Sequence, residues 1–261
     1  MDKPKKLLKK IYEHELVDHI LRDAMNATKD LYESGSTLKV LPKPIRPLTQ
    51  YESYLNSCGI SMSHLITILE QIVMLPAYIE EYSSTKAMRR SKITRLNDIA
   101  YHYENFIIRA KSIDDRILQL CNSIFHLGYG QNDVNFSLVL NNSHIKSSDI
   151  SDNIKDIHNC CDIFGSQRNK IIHQHSLLDE DLRKIELMLH ASRNEGEYKI
   201  FARSHYRSLI KEFANKKVPE MNDFISNLMI LIIELLNSLQ NIYEEKKKML
   251  AVLYGDPTKP A

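Results

Sequence analysis

Residues 92–127 read KITRLNDIAYHYENFIIRAKSIDDRILQLCNSIFHL. Apolar side chains recur at Ile93, Leu96, Ile99, Tyr103, Phe106, Ile107, Ala110, Ile113, Ile117, Leu120 and Ile124. Steps of three and four persist for about ten turns, the pattern of a helix with one buried stripe. No Gly or Pro interrupts the run, and Gly128 and Gly130 close it as helix terminators do. A helix this long must lay its stripe on other helices, so the fold class is all-α and bundle-like.

Working outward, residues 61–82 repeat the pattern with Leu65, Ile68, Leu69, Ile72 and Val73, and Pro76 is expected to kink or end that helix. Residues 34–50 hold Gly35, Pro42, Pro44 and Pro47 and read as an extended connection. Residues 5–33 are amphipathic, with Leu7, Leu8, Ile11, Leu16, Ile20, Met25 and Leu31 among charges. Beyond Gly130, residues 130–147 are polar and rich in Asn and Ser, consistent with a loop holding at most one short element. Residues 149–163 look helical, Gly165 breaks that run, and a new helix opens near Ser166 with Ile171 and Ile172. Helices over 180–193, 198–216 and 221–253 complete a set of seven to nine, with Pro219 as the last joint. The expected organisation is an N-terminal helix and Pro-containing connection over 1–60, an all-α domain over 61–254 and a flexible tail over 255–261.

Composition narrows the function classes. With 7 Gly and 8 Pro in 261 residues, turn-rich all-β folds are disfavoured. A formal charge of +2 means that nucleic-acid contact must come from local clusters. Such clusters stand at Lys3, Lys5, Lys6, Lys9 and Lys10, at Arg89, Arg90, Lys92 and Arg95, and at Lys246 to Lys248. The most apolar stretch, Phe224 to Leu236, is interrupted by Ser226, Asn227 and Glu234 and falls short of the roughly 18 apolar residues of a membrane span. The start of the chain is rich in Lys rather than apolar, so no membrane association and a cytoplasmic location are expected. Cys58, Cys121, Cys160 and Cys161 form no C-x-x-C pair and read as reduced structural thiols. His158, Cys160, Cys161, His173 and His175 cluster, but their spacing fits no zinc knuckle. No phosphate-binding loop, dinucleotide fingerprint, H-E-x-x-H or G-x-S-x-G occurs, and no metal or cofactor is expected.

One segment carries a chemical signal: Ser166-Gln167-Arg168-Asn169-Lys170-Ile171-Ile172-His173-Gln174-His175. Chance gives about 0.5 matches to R-x4-H in this composition and about 0.035 once Asn must follow Arg. Ser166 is a candidate N-cap that would place Arg168 in the first turn, where free amides attract phosphate. Asn169 and His173, four apart, share a face, so the amide could orient the imidazole. Arg168 and His173, five apart, diverge by about 140°. Two copies across a two-fold axis would bring two such pairs to one cleft. Cutting RNA without a metal needs proton transfer near neutral pH, which His provides, and a fixed positive charge on the phosphorane, which Arg provides. The simpler alternative is a solvated helix edge above Ile171 and Ile172.

The segment resembles the R-polar-x-x-x-H signature of the HEPN superfamily, all-α proteins. The block Tyr101-x-Tyr103-Glu104-Asn105-Phe106-x-x-Arg109-x-x-Ser112-x-x-Asp115-Arg116 is similar to the long helix ahead of the motif in some bacterial subfamilies. The resemblance covers about residues 93–250 and leaves 1–60 unmatched. It implies a HEPN-like bundle with additional N-terminal helices and a homodimeric endoribonuclease of toxin or phage-defence type, with an antitoxin or defence-system partner. Arg168, Asn169 and His173 are the catalytic set it implies; His175, Glu104 and Lys170 are candidate substrate-binding residues. Glu104 could support Arg168 or His173, Arg109 and Asp115 could line the cleft, and Tyr101 and Tyr103 could stack on bases. In HEPN toxins silenced by a nucleotidyltransferase, a Tyr stands two residues after the His; here that residue is His175, so silencing of that type is not implied. The alternative is a non-catalytic helical module that binds RNA or protein.

Overall fold

The computed structural model describes residues 3–29, 46–81, 88, 90–174, 179–193 and 198–255. Ten helices and no strand occur among them: α1 (Lys3–Tyr12), α2 (Glu15–Thr28), α3 (Gln50–Glu80), α4 (Arg95–Ile124), α5 (Phe136–Leu140), α6 (Ser143–Lys146), α7 (Ile150–Asp162), α8 (Gly165–Gln174), α9 (Glu180–Ala191) and α10 (Tyr198–Tyr254). The all-α reading stands.

The two longest core helices of the N-terminal half start on reciprocal caps. Thr94 Oγ1 accepts from the Asn97 amide at 3.2 Å while Asn97 Oδ1 accepts from the Thr94 amide at 3.0 Å. Thr49 and Glu52 repeat the device at the start of α3. Each box satisfies amides that a helix start leaves without partners. At the other end of α4 the chain turns through His126 at φ 54° and Gly128 at φ 76°, a conformation that glycine adopts without strain. α3 and α4 bury their stripes against each other, α2 lies on α3, and α10 closes the core against α3, α7 and α1. α2 and α3 meet at Gly59, where a Cβ would come within 2.3 Å of Ala24 Cβ.

Several expectations yield to packing. α3 passes through Pro76 to Glu80, and α10 passes through Pro219 as one helix of 57 residues. Proline removes a backbone donor and costs about 3 kcal/mol inside a helix. Leu75 and Ile79 around Pro76, and Phe213, Val218, Met221 and Phe224 around Pro219, are buried in the core, which offsets that cost. The longest helix among the described residues is therefore α10. The 130–147 region holds two short helices, α5 and α6, capped by Asn135 and Asn142 and anchored by Val139 and Ile145. The pattern over 5–33 is divided at Glu13 and His14, and the His14 ring accepts from the Leu16 amide at 3.2 Å to start α2. The boundary at residue 60 falls inside α3, because Tyr51, Tyr54, Leu55 and Cys58 extend its buried stripe. Residues 30–45 of the Pro-containing connection and 256–261 of the tail lie outside the described residues.

α3 and α10 are each long and apolar enough to cross a membrane by length and composition. The sequence reading missed this because isolated polar residues interrupt both runs. In the bundle their apolar sides supply Leu65, Leu69, Ile72, Leu228, Ile232 and Leu235 to the shared core.

Candidate functional site

The motif lies on α8, a short helix set between α4 and α7. Only Ile163 and Phe164 separate α8 from α7. Phe164 is the anchor: its ring meets Phe106 of α4 and Phe224 of α10 edge-on at 5.4 and 5.0 Å. Helix α8 begins at Gly165, so Ser166 lies within its first turn rather than capping it. The Arg168 amide is already engaged, donating to the Phe164 carbonyl at 2.8 Å. Phosphate attraction by that amide is therefore not available.

Arg168 is half-buried against α4, whereas Asn169, Lys170 and His173 are exposed. This fits the calculated divergence of Arg168 and His173 around the helix. No hydrogen bond joins Asn169 to His173 among the described residues; sharing a face does not align two side chains that water can satisfy separately. His175 lies outside the described residues.

The Asp115 carboxyl lies within electrostatic reach of Arg168. Burial pushes the Asp115 carboxyl above its usual range, as does the neighbouring Asp114 carboxylate, against the pull of Arg168, Lys111 and Arg116. The residue nonetheless keeps an exposed surface, so the crowding is local to the carboxyl. Glu104 is half-buried eleven positions earlier, roughly 16 Å back along α4 at 1.5 Å per residue. Arg109 is committed to scaffolding, donating to Gln71 Oε1 at 3.0 Å and Asn105 Oδ1 at 2.6 Å. Tyr101 is exposed, but Tyr103 is a core residue packed on Phe213 with Lys217 over its ring. Of the proposed cleft residues, Asp115 lies within electrostatic reach of Arg168, while Arg109 and Tyr103 are engaged in packing.

A second layer went unread in the sequence. Asp114 is buried and its Oδ2 accepts from Lys111 Nζ at 3.0 Å, with His158 Nδ1 at 2.7 Å. Lys111 also reaches Asp162 Oδ1 at 3.1 Å, and the His158 ring stacks on Phe136 at 3.7 Å. These contacts tie α4, α5 and α7 together just under α8. The available signal was Asp114 itself, a charge beside the apolar stripe of Ile113 and Ile117.

Buried polar atoms without partners concentrate here. Among the described residues there are four: Asp114 Oδ1, Gln167 Oε1, Arg168 Nε and His102 Nδ1. Three of them belong to α4 at Asp114 or to the first turn of α8. Each such atom costs about 1–3 kcal/mol if left unpaired, so their gathering marks a place where water or a ligand completes the bonding.

No group of three or more His, Cys, Asp or Glu side chains among the described residues could hold a metal ion. Cys161 is buried with its thiol pushed well up, first by burial, and Cys121 is pushed up to about 12 by the same cause. Both are inert core thiols in this state. The α1 lysines are exposed, and Arg95 is spent on Asp98 at 2.8 Å and on the carbonyls of Tyr78 and Ile79.

Comparison with curated proteins and with solved structures returns no match. A family model, HEPN_Cthe2314-like HEPN, matches residues 54–242, which take in most of α3, all of α4 to α9 and most of α10. A HEPN domain suggests a nuclease or an RNA-binding module. With the long helix α4 and the Arg-Asn-x-x-x-His helix α8 both inside the matched span, the chain belongs to the HEPN_Cthe2314-like HEPN family.

Proposed function

We propose that the chain is a metal-independent endoribonuclease of HEPN type acting as a homodimer in the cytoplasm, in a toxin or phage-defence role. The observation that carries the reading is Arg168: its Nε is buried and unpaired among the described residues while His173, on the same helix, is open to solvent. A partly desolvated guanidinium with free hydrogen-bonding capacity suits a phosphodiester, and an exposed imidazole suits proton transfer to groups on a flexible strand.

In the reaction, the 2′-hydroxyl attacks the adjacent phosphorus as one His173 imidazole takes its proton. The bond to the 5′-oxygen breaks, and that oxygen leaves with a proton from the second imidazole of the pair. The products are a 2′,3′-cyclic phosphate and a free 5′-hydroxyl. Arg168 balances the charge gathered on the phosphorane. Asp115 on α4 feels the charge of Arg168. Asn169 and Lys170, both exposed, are placed to meet the strand rather than to hold the imidazole.

The divergence of Arg168 and His173 on one helix supports a site shared by two copies. Purified protein should cut single-stranded RNA in the presence of chelator, leave cyclic phosphate ends, and lose the activity on Arg168→Ala or His173→Ala. Cutting that survives both substitutions would refute the assignment. A second reading, an RNA- or protein-binding module without cleavage, is favoured by one observation: Asn169 does not orient His173. It predicts RNA binding with the strand left whole. An antitoxin or defence-system partner would restrain the activity in the cell.

A further inference from the structure

We propose that a cavity between α3 and α4 is a nucleotide subsite, where Tyr129 stacks a base and Arg116 binds the attached phosphate. The proposal deepens the RNA reading above and rests on it for the choice of ligand. The cavity has a volume of about 230 Å³ and lies between α3, the C-terminal third of α4 and the loop after α4. Its walls include Ser57, Ser61, His64, Arg116, Gln119 and Tyr129, and among the described residues no carboxylate lines it. Drug-sized ligands occupy sites of roughly 300 Å³ upward, so this one suits a single nucleotide unit rather than a large cofactor.

The chemistry of the walls selects the ligand class. Arg116 makes no ion pair among the described residues, so its planar fork is free for phosphate oxygens. His64 and the Ser57 hydroxyl add hydrogen-bonding groups from α3, and both residues are exposed. A tyrosine ring offers a platform that any base can use.

The walls are also held in place. Asn122 clamps the Tyr129 backbone in both directions: its Nδ2 donates to the Tyr129 carbonyl at 3.0 Å, and its Oδ1 accepts from the Tyr129 amide at 3.2 Å. The Tyr129 hydroxyl accepts from Asn142 Nδ2 at 3.1 Å, which fixes the far edge of the ring. Gln119 Nε2 donates to the Gln131 carbonyl at 2.7 Å, and Ser61 and Ser123 join hydroxyls at 2.8 Å across α3 and α4. Walls ordered in advance reduce the entropy lost on binding.

The cavity and the motif helix share α4, which packs on α8 and supplies Arg116 and Gln119 to the cavity wall.

The test measures binding of the full chain to two probes, a fluorescent 2′-O-methyl oligonucleotide that cannot be cut and free adenosine 5′-monophosphate. Arg116→Ala and Tyr129→Leu should each weaken oligonucleotide binding about tenfold, while Lys211→Ala, which removes one exposed charge from α10, should change it less than about twofold. Arg116→Gln, closer in size, substitutes if the alanine variant melts early. Weakening for the oligonucleotide alone assigns the subsite to an RNA strand; weakening for both probes assigns it to nucleotides generally. Wild-type affinity of the Arg116 and Tyr129 variants for both probes would overturn the subsite, as would failure of the wild-type protein to bind either. Loss of cleavage is scored separately with His173→Ala. A protein that binds through Arg116 but leaves RNA whole refutes the nuclease reading and keeps the subsite.

Discussion

Helices α4 and α8 touch along one seam and are built by opposite rules. α4 starts on a reciprocal cap and buries thirteen of its 30 residues. α8 has ten residues, and none of residues 165–173 is fully buried. An isolated ten-residue helix is marginal in water. This one is held by Phe164 before it, by Ile171 against the core edge and by the charged seam over Asp114 and Asp115. Where burial dictates residue type, as along α4, a residue reports on folding. Where it does not, as at Asn169, Lys170 and His173, the residue is free to report on chemistry.

That contrast can be broken by substitutions on either side. The largest expected effect is on α8: His173→Ala should lower RNA cleavage by about 100-fold or more while denaturant unfolding shifts by no more than about 0.5 kcal/mol, since the side chain is exposed. Loss of fold with loss of activity would make α8 a packing element after all. On the scaffold side, Leu69→Ala empties a fully buried site in α3 and should cost about 2–5 kcal/mol in chemical denaturation. Gly59→Val at the crossing with Ala24 should cost about 1–3 kcal/mol by overpacking, read by the same measurement.

The next effect is electrostatic. Arg46 grips Glu52 with both guanidinium nitrogens, at 2.7 and 2.5 Å, and its hydrogen bonds outweigh burial to hold the carboxyl down at about 2. A carboxylate whose folded value is depressed adds stability above its unfolded value near 4.5, and that stability disappears as pH falls from there to about 2. With Arg46 partly exposed and screened by solvent, the contribution is about 2 kcal/mol. Glu52→Gln should remove it at pH 7 and flatten the acid limb of a stability-against-pH curve over that window. The smallest effect belongs to the α4 cap: Thr94→Ala should cost about 1 kcal/mol in urea unfolding and leave cleavage unchanged.

The core stripe of α4 was legible because every contact it needs is announced by spacing within the helix itself. Pro76 and Pro219 do not end their helices, for the complementary reason. A local rule stops a helix at proline, but Leu75, Val218 and Met221 continue stripes that only the assembled core rewards. The two short helices over 130–147 hid behind polar composition, since Val139 and Ile145 are single anchors without periodic neighbours. Within the candidate site, Arg168, Asn169 and His173 stood out as a spaced triplet, and Asp115 was among the residues expected near them. Asp114 with His158, 44 positions apart, gave no such notice.

Local periodicity was therefore enough to establish an all-helical chain and to single out residues 166–173, because helix stripes and motif spacings span only a few residues. Packing alone decided that two prolines lie within continuous helices, that Ser166 does not cap α8, and that unpaired polar atoms gather between α4 and α8. Those outcomes depend on which distant segments meet, and a pattern that repeats every three or four residues carries no record of its partner.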